Sequence, residues 1–148
     1  MALFTYIPSK VDIEISGYLV QGHTEVSFQL DNPQFTTVRG IRGRNTRVRS
    51  KNSSGVLTIT LLQTSPTNDL FSDIVAKDLQ FGTGRLLVKI KDKSGSSLFF
   101  SDEAYIAGFP TLAFSDVAGT RTWTINCLSV PLDQLKVGGN YKPVLDIF

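Results

Sequence analysis

The chain has few of the residue types on which cross-links, metal sites and catalytic bases usually depend. Its 148 residues include one cysteine and one histidine. A lone cysteine excludes an internal disulfide and any metal site built from several cysteines. Cys127 lies in the apolar-patterned run 123–128, which favours a buried, unreactive thiol. His23 stands in a predicted turn with no serine or cysteine arrangement around it, so we interpret it as a turn residue.

Long apolar runs and glycine-rich phosphate loops are also missing. No stretch approaches the roughly 18 uninterrupted apolar residues of a membrane span, and the N-terminus lacks a basic leader, so we expect synthesis in the cytoplasm. Gly82-Thr83-Gly84 precedes a predicted strand rather than a helix, and no His, Asp and Glu cluster has metal-ligand spacing. Asp102 and Glu103 are adjacent, so on a strand they would point to opposite faces. We therefore predict a protein without catalytic residues, cofactor or metal, and not an enzyme.

Composition predicts a single domain whose surface is partly covered by neighbours. A length of 148 residues suits one domain with its own core. Charged residues make up 19%, which is low for a subunit that faces water on all sides. A net charge of +2 does not by itself indicate a nucleic-acid binder.

Short apolar alternations between turn residues predict strands along most of the chain. The predicted strands are 11–15, 26–30, 56–63, 86–91, 98–100, 104–109 and 120–128. The first two are interpreted as a hairpin across the turn at residues 21–23. Together they predict a mainly β protein, either an antiparallel β-sandwich or a closed barrel.

One segment has helical spacing instead. Ser65 is a plausible N-cap and Pro66 suits the first helical position, which predicts a single helix over 66–79. Its apolar face should lie on the sheet and is formed by Leu70, Phe71, Ile74 and Val75. Asp73 and Asp78 should then face solvent or a neighbour.

The segment 33–55 is strongly basic and is predicted to form a long extended hairpin. No acidic residue occurs between Asp31 and Asp69. The cations are Arg39, Arg42, Arg44, Arg47, Arg49 and Lys51.

Three interpretations of this hairpin stay open: a solvated loop, a nucleic-acid contact and a contact with a neighbouring subunit. Base stacking has little support, since no aromatic residue follows Phe35 in the segment. A protein contact is favoured because arginine pairs with carboxylates in a fixed geometry that sets register. Candidate acceptors are Asp12, Glu14, Glu25 and Asp31, or Asp102, Glu103 and Asp116.

The order of these elements resembles the tail tube proteins of contractile-tailed bacteriophages. The most specific part runs from Val56 to Lys77. Within it, the strand TITLLQ followed by TSPTND (residues 58–69) and a helix is similar to a family of small phage structural proteins. The resemblance covers nearly the whole chain.

That resemblance implies the fold shared with the hemolysin-coregulated protein of type VI secretion, with two packed sheets flanked by one helix. It implies hexameric rings that stack into a hollow inner tail tube, through which DNA passes without specific binding. Expected partners are other copies, the sheath protein, the baseplate or tube initiator and the tail terminator, with no membrane. The expected location is the virion, after assembly in the host cytoplasm.

The resemblance also implies roles for particular segments. Residues 1–10 and 132–148 would pack against adjacent rings. Because the lumen of this family is generally acidic, the basic hairpin is expected at a subunit or ring interface. Two alternatives remain: another ring of the tail, such as a terminator or a baseplate tube-like protein, and a small DNA-binding β-barrel.

Overall fold

The computed structural model describes residues 4–139, which form nine strands and one α-helix. A short 3-10 turn at Pro8–Lys10 precedes the first strand. The strands are β1 (Val11–Ile15), β2 (Tyr18–Leu19), β3 (His23–Leu30), β4 (Phe35–Arg39), β5 (Asn45–Arg49), β6 (Gly55–Leu62), β7 (Leu86–Asp92), β8 (Leu98–Ile106) and β9 (Thr120–Ser129), and α1 (Thr67–Phe81) lies between β6 and β7. The mainly β prediction with one helix is confirmed.

Seven of these strands form one antiparallel sheet in the order β2-β1-β7-β8-β9-β6-β3. The strand ladder of the described residues ends at β2 and β3, so it is not a closed barrel. The sheet nevertheless folds over on itself. Residues 20–22 join the two edge strands and can span at most about 14 Å. In addition, the Phe28 ring on β3 lies 4.4 Å from the Phe99 ring on β8, three strand positions away. The result is a β-sandwich.

The predicted hairpin between the first two apolar runs is wrong. β1 pairs with β2 and β7, whereas β3 pairs with β6. Ser16 and Gly17 take positive φ values of 49° and 88°, which turns the chain back immediately after β1. The short return strand β2 occupies that edge, and Gly22, with φ 71°, then directs the chain toward β6. Long-range pairing therefore replaced the local hairpin that alternation suggested.

The core lies between the folded halves of the sheet and is closed by α1. Alternate residues of β6 (Leu57, Ile59 and Leu61) are completely buried, as the period of two requires. Trp123 on β9 is also buried, and the Phe71 ring of α1 meets it edge-on at 5.4 Å. Each such side chain contributes about 1.5–3 kcal/mol by leaving water. The predicted burial of one helix face is thus confirmed.

The helix begins and ends slightly later than predicted. Pro66 occupies the N-cap position rather than the first helical position, and α1 runs to Phe81. Ser65 still supports the start, since its hydroxyl accepts a hydrogen bond from the backbone N–H of Thr67 at 3.2 Å. Gly82 ends the helix in the left-handed conformation, and its N–H bonds to the carbonyl of Asp78 at 2.8 Å.

Two predicted strands, 98–100 and 104–109, are one continuous strand, β8, with a register shift between Glu103 and Ala104. β8 ends at Ile106, so the extension of the prediction to Phe109 is wrong. Residues 107–119 have no regular structure. The terminal segments 1–10 and 132–148 extend beyond the described residues at positions 1–3 and 140–148.

Candidate assembly surfaces

The basic hairpin projects from the sandwich as an arm, which we define as residues 33–55. Its strands β4 and β5 pair only with each other, and all five residues of each strand are exposed. The arm continues the β3–β6 ladder, because Asp31 N–H bonds to Ser54 O at 3.0 Å and Ser50 N–H to Gln34 O at 2.8 Å. A two-stranded hairpin alone is marginally stable in water. We therefore expect the arm to gain stability when it packs against another surface.

Register divides the arm into two different faces. Arg39, Arg47 and Arg49 share one face, where Arg39 Nε donates to Asn45 Oδ1 at 3.0 Å and Arg47 lies 3.7 Å from the centre of the Phe35 ring. The opposite face carries β-branched side chains only: Thr36, Val38, Thr46 and Val48. Ile41 at the tip is completely exposed. The arm is thus amphipathic and ends in an apolar residue.

None of the arm's cations has a carboxylate within salt-bridge distance in the part of the chain that the structure describes. Two predicted acceptors lie close to lysines of the sandwich instead. Asp12 forms a 2.7 Å salt bridge with Lys93, and this hydrogen bond raises the pKa of the lysine. Glu14 lies directly opposite Lys89 on β7.

The other predicted acceptors lie in three different places. Asp31 accepts a hydrogen bond from Ser54 Oγ at 2.8 Å, at the root of the arm. Asp102 and Glu103 lie within β8. Glu25, near the start of β3, and Asp116 are exposed. Asp31 thus contacts the root of the arm, but within the described residues of one copy none of these acceptors forms an ion pair with an arm cation.

A second exposed surface was missed by sequence reasoning. The apolar loop, residues 107–119, exposes four large side chains, Phe109, Leu112, Phe114 and Val117, each by 59% or more. The loop is anchored where Gln63 N–H bonds to Gly119 O and Gly119 N–H bonds to Gln63 Oε1, both at 3.0 Å. Exposed apolar clusters of this kind mark interaction sites. The spaced apolar residues of FPTLAF (109–114) were the available signal, but they were partly attributed to a strand.

A cleft of about 470 Å³ separates this loop from the start of α1. It is lined by Gln63, Asn68, Asp69, Ser72, Phe109, Pro110, Leu112, Phe114, Arg121 and Trp123. Arg121 is only 7% exposed. Its guanidinium donates to Thr120 O at 3.3 Å and lies 5.4 Å from the centre of the Phe114 ring.

The motif that carried the family resemblance has a structural role beside this cleft. Asn68 Nδ2 donates to the carbonyls of Leu62 and Ser65, at 2.9 and 3.2 Å, and its Oδ1 accepts from Trp123 Nε1 at 2.9 Å. Thr67 Oγ1 accepts from the N–H of Gln21 at 3.1 Å. These bonds tie the start of α1 to β6, to β9 and to the β2–β3 connection.

The arm and the apolar loop lie at opposite ends of the sandwich. β6 begins at Gly55, where the arm joins, and ends at Leu62, beside Gln63 and the loop. Eight residues of strand separate the two ends by roughly 23 Å. We call them the arm end and the loop end.

Charge differs between these ends. The arm end carries the six arm cations. The loop end, taken as residues 20–25, 62–73 and 107–122, has one arginine, the buried Arg121, and no lysine. Its exposed carboxylates are Glu25, Asp69, Asp73 and Asp116. A cationic surface and an acidic surface therefore face away from each other on the same subunit.

Among residues 4–139, no group of three or more His, Cys, Asp and Glu side chains could hold a metal ion. No helix in the same range is long and apolar enough to cross a bilayer.

Solved structures of contractile injection systems share this fold. The anti-feeding prophage cap, a tube terminating cap, superposes with a TM-score of 0.65 at 11% identity, covering 88% of this chain and 91% of that one. For the PVC sheath-tube complex in the extended state, the TM-score is 0.61 at 14% identity, with 85% and 89% covered. For the PVC sheath/tube terminator, it is 0.60 at 12% identity, with 86% and 96% covered.

These identities establish the fold alone, and sequence similarity establishes the family. Structural protein ORF10 of Pseudomonas phage KPP10 is 35% identical over 150 residues, covering 93% of this chain and 84% of the relative. No family model matches the chain. The chain belongs to the family of this phage structural protein, and it is not an enzyme.

Proposed function

We propose that the protein is a ring-forming structural subunit of the tube assembly in a contractile phage tail, and that each ring docks end to end on its neighbour in the tube. The observation that carries this proposal is the polarity of the subunit, with the cationic arm at one end and the apolar, acid-rimmed loop at the other. Contacts between unlike ends propagate in one direction, as a stack requires. Family membership supports a place in the phage particle.

The first position we propose in that assembly is the ring that ends the tube. Two of the similar structures described above are a tube terminating cap and a sheath/tube terminator, which supports this choice. The second candidate is the repeated ring of the tube itself. It is favoured by the presence of both docking ends on one chain, because each repeated ring must bind a copy above and below.

Several expectations belong to this proposal. Six copies would form each ring, DNA would pass through the lumen, and the sheath and the tube initiator would bind the assembly. The DNA-binding alternative is less favoured, because Arg47 already occupies one face of Phe35, the aromatic ring of the arm. The fold of the described residues is also not the closed barrel which that alternative assumed.

In the stack, the arm of one copy meets the loop end of the next. Exposed ion pairs contribute only about 0.2–1 kcal/mol each, so the four carboxylates of the loop end would supply orientation and a modest part of the affinity. The β-branched face of the arm and Ile41 would supply apolar contact area. Raising the salt concentration should weaken assembly without abolishing the fold.

The test is negative-stain electron microscopy of the purified protein over a concentration series. Uniform rings support the proposal; rings that stay single favour the terminal position, and long hollow tubes favour the repeated one. Monodisperse monomers at every concentration would contradict the proposal.

The role of the arm is tested with the double variant Arg44→Glu/Arg47→Glu. We expect assembly to be lost, with circular dichroism unchanged and the melting temperature within about 2 °C of wild type, because surface charges contribute little to stability. The matched control, Arg44→Lys/Arg47→Lys, keeps the charge and should still assemble. Normal assembly of the charge-reversed variant would exclude the arm from the interface.

A further inference from the structure

Arg121 presents a buried charge that nothing in its own described chain neutralises. The residue is 93% buried, and no carboxylate of residues 4–139 lies within salt-bridge distance of it. A guanidinium has five N–H donors, and one of them bonds to Thr120 O. Buried arginines are almost always paired, since an unpaired buried charge is costly. The cleft is therefore suited to an acidic group from outside the described residues.

The walls of the cleft specify what else the occupant must carry. Phe109, Leu112 and Phe114 expose 59–74% of their surface along the loop side, and Trp123 lines the base. An occupant that covers these apolar side chains and also reaches Arg121 has to combine apolar side chains of its own with a carboxylate. A short peptide segment with an acidic residue between apolar neighbours has this chemistry.

The chain itself contains such a segment. Of its 13 acidic residues, three are flanked on both sides by apolar residues: Asp12, Glu14 and Asp146. The first two lie on β1 opposite lysines of β7. Asp146 belongs to the sequence VLDIF (residues 144–148), which lies outside the described residues.

The position of Gly139 indicates which copy would supply this segment. Gly139 O accepts from Ser96 N–H at 3.3 Å, and Leu98 N–H bonds to Lys136 O at 2.9 Å, so the described chain stops beside the start of β8. The cleft lies beyond the other end of β8, where Ala107 begins the apolar loop. Eight residue steps along β8 make roughly 26 Å.

Within one copy, residues 140–148 reach at most about 31 Å when fully extended. To enter their own cleft, they would have to run straight along the length of the subunit. In an end-to-end stack, by contrast, the arm end of one copy, where Gly139 lies, faces the loop end and cleft of the next.

We propose that the Arg121 cleft is a docking site for residues 140–148 of the next copy in the stack. Asp146 pairs with Arg121, and the apolar residues around it cover the exposed rings of the loop. This inference rests on the repeated-ring form of the proposed function, in which copies stack end to end, and adds a second contact that is independent of the arm.

Mixed disulfide formation between two single-site variants tests this docking. One carries Leu112→Cys on the rim of the cleft, and the other carries Ile147→Cys. The native Cys127 is completely buried and should not compete. Because a disulfide requires Cα atoms within about 7 Å, we expect linked heterodimers under mild oxidation once the mixture has assembled.

The matched control pairs Ile147→Cys with Leu87→Cys, an exposed position near the start of β7. If particles assemble but the fraction of linked heterodimer is no higher than in this control, the docking is overturned and the proposed function stands. A disulfide that forms within one chain of a Leu112→Cys/Ile147→Cys variant, diluted below the assembly concentration, would also overturn it. Failure of the wild-type chain to assemble at all would overturn both proposals.

A charge variant tests the ion pair separately. Asp146→Asn leaves Arg121 buried without its partner and should reduce mixed linkage by at least about tenfold. Asp146→Glu, which keeps the negative charge, should retain the linkage. Equal linkage in the two variants would exclude Asp146 as the partner of Arg121.

Discussion

Asn68 should stabilise the fold far more than a half-buried polar residue usually does. The change Asn68→Ala removes the acceptor of Trp123 Nε1 and the donor to the carbonyls of Leu62 and Ser65. Trp123 is 2% exposed, so its indole N–H cannot turn to water, and an unsatisfied buried donor costs about 1–3 kcal/mol. The two carbonyl bonds add about 0.5–1.5 kcal/mol each. The higher helix propensity of alanine returns roughly 0.5 kcal/mol. We expect a net loss of about 1.5–5.5 kcal/mol.

Urea unfolding at a concentration that keeps the protein monomeric measures this loss. Trp123 is the one tryptophan in the chain, so its fluorescence reports directly on the packing of α1 against β9. Far-UV circular dichroism gives a second probe. Transitions that coincide by both probes would justify the use of a single free energy of unfolding.

A double-mutant cycle separates the Trp123 bond from the rest of the effect. Trp123→Phe removes the indole N–H, so Asn68→Ala should cost about 1–2 kcal/mol less in that background than in the wild type. If the stability losses of the two single changes add to that of the double variant within about 0.5 kcal/mol, the assigned hydrogen bond is refuted. A loss below about 0.5 kcal/mol for Asn68→Ala alone would refute the structural role of the motif.

Two further predictions concern buried positions. Burial raises the pKa of the Cys127 thiol from 9.0 to about 11. The free energy of unfolding of the wild type, relative to that of Cys127→Ala, should therefore be constant below pH 9 and fall by about 2 kcal/mol between pH 9 and 11, because the thiol of the unfolded chain ionises first. If urea titrations show no change in this difference between pH 9 and 11, the prediction is contradicted. At Gly55, a Cβ would lie 2.6 Å from Gln29 O. Gly55→Ala should thus lower the free energy of unfolding by about 1–3 kcal/mol. At Gly40 a Cβ fits without a close contact, so Gly40→Ala serves as the control. Equal melting temperatures for the two variants would contradict this prediction.

Local patterns in the sequence determined most of the secondary structure. Alternation in β6 and β9 predicted both strands and their buried sides, because one face of each strand must leave water. Helical spacing located α1 to within two residues at each end, and the run of cations identified the arm. The resemblance of residues 58–69 indicated a phage structural protein, and the relative from phage KPP10 confirms this broader class, whereas the tail tube assignment stays a proposal.

Only the tertiary structure decided which strands pair and which surfaces share an end of the molecule. The pairing of β1 with β7, and of β3 with β6, joins segments far apart in sequence, and alternation carries no information about partners. The same holds for the cleft, where α1, the apolar loop and Arg121 come together from three separate segments. The sequence therefore shows which charged and apolar residues the chain has. Whether the cationic and the acidic surfaces lie at opposite ends of the subunit depends on distances in space, which are set by the long-range packing of the sheet.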